Sequence, residues 1–116
     1  MDTLIFFGIY KNALEKADKF CQDVLNNAGL KDKIDSVFDE AYNRFYEFNW
    51  NKNVSITNAL IYCMFDTTRN CITEKYPDLE IDVYVNCDDS HMIINGENAD
   101  DFDFEHDKCH IDNEKQ

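Results

Sequence analysis

Leu79-Glu80-Ile81-Asp82-Val83-Tyr84-Val85-Asn86-Cys87 is the stretch that decides the fold. Its apolar and polar residues alternate, which is the pattern of a strand with one face on a core and the other in water. Downstream, Asp88-Asp89-Ser90 reads as a turn and His91-Met92-Ile93-Ile94 as a second strand. Asn95-Gly96 then opens a further turn towards a third strand expected at residues 102–105. Together these segments predict an antiparallel meander of about three short strands.

Before Pro77 the apolar period is helical instead. Phe6, Ile9 or Tyr10, Ala13, Ala17, Phe20 or Cys21 and Val24 recur three to four residues apart, opposite Lys11, Glu15, Asp18, Lys19 and Asp23. The pattern predicts a first helix that ends at Asn27, with Gly29 placed for a left-handed stop. Asn12 followed by Glu15 also fits a capping box, which leaves residues 3–9 open between helix and buried strand. A second helix is expected over residues 31–48, burying Ile34, Val37, Phe38, Ala41, Phe45 and Phe48. Past a polar loop around Trp50, Ser55 can cap a third helix. Its Ile56, Leu60, Cys63, Met64, Thr67 and Cys71 share a face that Ile61, Phe65 and Ile72 widen. Pro77 biases Tyr76 away from helical geometry and closes that helix. The fold class is therefore α+β, with three N-terminal helices packed on one face of a small C-terminal antiparallel sheet. A single domain is expected over 1–116, made of a helical scaffold at 1–76, an acidic sheet at 77–107 and a tail at 108–116.

The charge is as uneven as the periodicity. Residues 75–116 hold thirteen acids against three lysines, net −10, whereas residues 1–74 hold eleven acids against eight bases, net −3. Such a field repels nucleic acid and anionic membrane, whose binding rests on Lys and Arg, and it attracts basic proteins. No direct nucleic-acid or membrane partner is expected; a basic protein is, and a nucleic-acid-binding enzyme first among them. The apolar run Leu4–Phe7 is too short for a membrane span, Met1-Asp2 lacks a basic leader, and the five cysteines are odd in number and irregular in spacing. These features predict a cytoplasmic protein with reduced thiols. Scarce Gly and Pro beside abundant Asn, Lys and Ile point to an AT-rich genome, bacterial or phage.

Alternation also says where the acids point. If Leu79, Ile81, Val83, Phe102 and Phe104 face the helices, Glu80, Asp82, Asp103 and Glu105 share the wet face, and the turns add Asp88, Asp89, Glu97, Asp100 and Asp101. Carboxylates two residues apart on a strand stand about 6.6 Å from one another, comparable to neighbouring phosphates along a nucleic-acid backbone. Tyr84 and Trp50 are the candidate aromatic anchors, Tyr84 being placed to stack on an arginine. In size, charge and lack of catalytic signatures the chain has the character of a phage anti-defence inhibitor, such as an anti-CRISPR or other DNA mimic. Immunity proteins that cap a toxin nuclease share that character, and an acidic structural or zinc-binding interaction module is the third expectation.

Catalytic and metal chemistry are weakly encoded. Cys87, His91, His106 and Cys109 are ligand types that zinc takes, but they lack the Cys-x2-Cys spacing of a zinc knuckle. Acids alternate from Asp101 to Asp107, yet His106 stands where a calcium loop needs glycine. No glycine-rich phosphate loop, nucleophile elbow or His-Glu-x-x-His occurs. The expectation is a binding protein with no cofactor, not an enzyme.

Overall fold

A computed structural model describes residues 11–47, 55–86 and 89–104. Helix α1 (Lys11–Asn27) buries Ala13, Leu14, Ala17, Cys21, Val24 and Leu25, residues three to four apart that make one stripe. Lys11 and Asn12 are already helical, so Asn12 does not cap the helix; residues 3–9 lie outside the described residues. The helix ends as the sequence predicts. Gly29 takes φ +74°, its N–H donates to Asn26 O at 3.1 Å, and the Leu30 N–H donates to Leu25 O at 2.8 Å, the double bond of a Schellman stop. The Lys75 ammonium donates to the Ala28 carbonyl at 2.9 Å and the Tyr76 hydroxyl to the same oxygen at 3.0 Å. The negative end of α1 thus meets a cation brought from the end of the third helix.

A short 3-10 turn (Lys31–Lys33) leads into α2 (Ile34–Glu47), so the helix expected from residue 31 winds tightly before it becomes α-helical. Val37 and Ala41 are buried, while Ile34, Phe38 and Phe45 pack against the core from its margin. Helix α3 (Ile56–Lys75) is capped by Ser55, whose hydroxyl accepts from the Asn58 N–H at 3.4 Å. It is the spine of the molecule: α1, α2 and the first strand all pack on it. Its buried residues run all the way round, from Thr57 and Leu60 through Met64 and Phe65 to Ile72. Phe20 of α1 stacks on Phe65 with centroids 5.0 Å apart.

The spine also carries a buried charge. Asp66 accepts from Arg44 Nη2 of α2 at 2.8 Å and from Arg69 one turn along α3, and Arg44 Nη1 donates to Thr67 Oγ1 at 2.7 Å. Both arginines of the chain therefore converge on one carboxylate. Removing either partner from such a group leaves a buried charge uncompensated, which is why it ties α2 to α3 firmly.

The sheet is an antiparallel meander in the order β1-β2-β3, packed against α3. Strand β1 (Ile81–Tyr84) pairs with β2 (His91–Ile94), Ile81 opposite Ile94 and Tyr84 opposite His91; β2 pairs with β3 (Glu97–Asn98). β1 is shorter than the alternation of 79–87 implies, and side chains take up backbone N–H groups at both its ends, although the Asn95 N–H still donates to Glu80 O at 2.8 Å. At one end the Glu80 N–H donates to Asn95 Oδ1 at 2.9 Å, and at the other the Asn86 N–H donates to Ser90 Oγ at 2.9 Å. Asn95 and Gly96 sit at φ 50° and 83°, the positive pair of a two-residue type I′ hairpin.

That turn overturns one expectation. The third strand lies at Glu97–Asn98 and not at residues 102–105, because a two-residue turn restarts pairing at once. The chain then rolls off the sheet, with the Asp101 N–H donating to Asn98 O at 2.9 Å. Phe102 and Phe104 are buried as expected, but as an edge-to-face pair with centroids 4.8 Å apart, Phe104 also meeting Tyr76. Three alternating residues satisfy a strand and such an aromatic plug equally well. Residues 108–116 lie outside the described residues.

Candidate binding face

Strand parity divides the site. Leu79, Ile81, Val83 and Val85 are half-buried towards α3, while Glu80, Asp82, Tyr84 and Asn86 are exposed. Glu80, Asp82 and Tyr84 thus share the wet face, as the sequence predicts. Cross-strand pairing adds residues from β2: Asp82 stands opposite Ile93, Tyr84 opposite His91, and Ile93 in turn opposite Asn98 of β3. The Tyr84 and His91 rings stack with centroids 5.0 Å apart and planes 18° apart, and Tyr84 remains 51% exposed. His91 Nδ1 lies 3.3 Å from the Asp89 carbonyl oxygen, which anchors the ring to the turn.

Among the described residues the expected row of four carboxylates on this face is represented by Glu80 and Asp82. Asp103 is exposed but lies outside the sheet, between the buried Phe102 and Phe104, and Glu105 falls outside the described residues. Glu97 is exposed on β3, but it pairs with the core-facing Ile94, which by parity sets it on the face opposite Asp82. Asp89 is exposed in the first turn. Asp100 and Asp101 are exposed in the turn after β3, which leans towards α1: the Lys19 ammonium there is raised from its ordinary value by its hydrogen bond to Asp23, with Asp100 adding to the effect. The acids therefore split into two groups, one on the sheet face and one in the turn after β3, where Asp100 acts on Lys19 of α1. Asp88 and Trp50 lie outside the described residues.

Of the four zinc-ligand candidates only His91 is described, and its ring is engaged with Tyr84; Cys87, His106 and Cys109 lie outside the described residues. Among the described residues no three His, Cys, Asp or Glu side chains come together as a metal site. The three described thiols are free, and burial pushes each upward, Cys21 to about 12. A groove of about 230 Å³ between α2 and α3 is lined by Lys33, Ser36, Glu40, Thr67, Cys71 and Glu74, among others, with charges of both signs.

His91 and Ile93 were missed as members of the face. The signal for Ile93 is in the run Met92-Ile93-Ile94: a two-sided strand cannot hide three consecutive apolar residues, so one must face water. His91 joins Tyr84 only through the register of the hairpin, which no local pattern sets. No described helix is long and apolar enough to cross a membrane. No family model, curated protein or solved structure matches the chain.

Proposed function

We propose that the protein is a small acidic inhibitor that occludes the basic, nucleic-acid-gripping surface of a nuclease or CRISPR-type effector, in the manner of phage anti-defence proteins and DNA mimics. It acts in the bacterial cytoplasm as a binding protein, without catalysis. One observation carries this reading: on the wet face of the sheet, exposed Glu80 and Asp82 stand beside the exposed Tyr84 ring, the His91 ring and the half-buried Ile93. A face that served solubility alone would not place an aromatic pair and an isoleucine among its charges. Apolar centre and charged rim are the anatomy of a protein-binding surface.

The mechanism is competitive. Carboxylates pair with the Arg and Lys that would otherwise hold phosphate, and the surrounding field speeds the encounter. Calorimetry against a basic effector or toxin nuclease, in a salt series and in competition with its oligonucleotide, tests the proposal. Affinity is expected to fall steeply with salt and the oligonucleotide to displace the protein. The Glu80→Gln/Asp82→Asn variant is expected to bind about tenfold more weakly while keeping its circular dichroism spectrum. Salt-independent binding, or full affinity in the amide variant, would remove the sheet face from the interface.

A further inference from the structure

We infer that the ring face of Tyr84 turned away from His91, with Asp82 beside it, is the seat of an arginine side chain of the partner; the inference rests on the binding face proposed above. The two rings are stacked at 5.0 Å, so one face of Tyr84 is covered by His91 while the residue remains 51% exposed. His91 is held in turn by its 3.3 Å approach to the Asp89 carbonyl. Tyr84 is therefore backed by a second ring and presents its other side to whatever docks. Asp82 lies two residues along the same strand face, about 6.6 Å away along the backbone. Among the described residues no cation pairs with Asp82, and the one basic side chain on the wet face is His91, whose ring is stacked on Tyr84. Ile93 stands directly opposite Asp82 and adds an apolar neighbour to the face.

An ammonium can sit over a tyrosine ring, as Lys75 does over Tyr76 at 5.3 Å, but a planar cation fits this arrangement better. A guanidinium can lie flat on the ring while its edge N–H groups reach the carboxylate; an ammonium presents no plane to stack and is more strongly hydrated. The net charge of −13 supplies the complementarity that brings such a group in. The seat thus prefers arginine to lysine, a preference that charge alone does not give.

Calorimetric titration of the protein with an oligoarginine and an oligolysine peptide of equal length, at low ionic strength, tests it. Oligoarginine is expected to bind about fivefold tighter and to shift the Tyr84 ring resonances, which oligolysine leaves in place. Tyr84→Leu is expected to abolish the difference and Tyr84→Phe to keep it. Equal affinities for the two peptides, or a preference that survives Tyr84→Leu, overturn the arginine seat and leave the acidic face standing. If neither peptide binds, both the seat and the face fall.

Discussion

Cys21 shows how burial alone can make a chemical group inert. It is fully buried on α1, beside the equally buried Thr68 hydroxyl of α3, which among the described residues finds no well-formed hydrogen bond and has a thiol, a weak donor, as its polar neighbour. Desolvation pushes the thiol from its ordinary value of 9.0 to about 12. Below about pH 9 the thiol is protonated in folded and unfolded chains alike, and its contribution to stability is fully present. Above that pH the unfolded chain releases a proton that the folded chain keeps, so stability falls by roughly 1.4 kcal/mol per pH unit until the folded thiol also ionises. Urea unfolding at about pH 8 and about pH 10.5 should therefore show the native protein losing about 2 kcal/mol more than Cys21→Ala. Equal losses would assign the alkaline transition to other groups.

At the scale of the element, Asn95 carries two duties. Its φ of 50° makes the hairpin turn, and its Oδ1 accepts the Glu80 N–H at 2.9 Å, ending β1. Asn95→Gly keeps the turn and loses only the acceptor, which is expected to cost about 1 kcal/mol in urea unfolding; Asn95→Ala also strains the backbone and is expected to cost about 2 kcal/mol. Wild-type stability in Asn95→Gly would show that water replaces the side chain without loss. The same residue marks the limit of what the sequence discloses. Helix ends at Gly29 and Ser55 were legible because a stop or a cap is a local event, and so was the exposure of Glu80, Asp82 and Tyr84, because alternation assigns faces residue by residue. The third strand was misplaced because its position follows from the length of the Asn95-Gly96 turn, while Phe102 and Phe104 alternate for a different reason, their packing on Tyr76. The meeting of Arg44, Asp66 and Arg69 was invisible for a related cause: it joins two helices across 22 positions.

For the whole molecule, charge acts against compactness. The exposed pairs Lys11–Glu15 and Lys19–Asp23 on α1 contribute little in water, and they do not balance a net −13. Carboxylates on the sheet, in its turns and along α1 repel one another in the folded state more than in the expanded one. Added salt screens this repulsion, so raising ionic strength from low to physiological should lift the melting temperature by about 2–4 °C. A drop would mean that attractive pairs dominate the surface. Salt should thus strengthen the fold while it weakens partner binding, two opposite responses to one field.

The buried knot at Asp66 bears on how copies of this protein treat each other. The chain has two guanidinium groups, and Asp66 pairs with both, with Arg44 across from α2 and with Arg69 along α3. Both are thus already engaged, which makes a copy of the chain a poor donor of the group proposed for the Tyr84 face. The proposed seat is thereby better matched to a stranger than to a copy of the same chain.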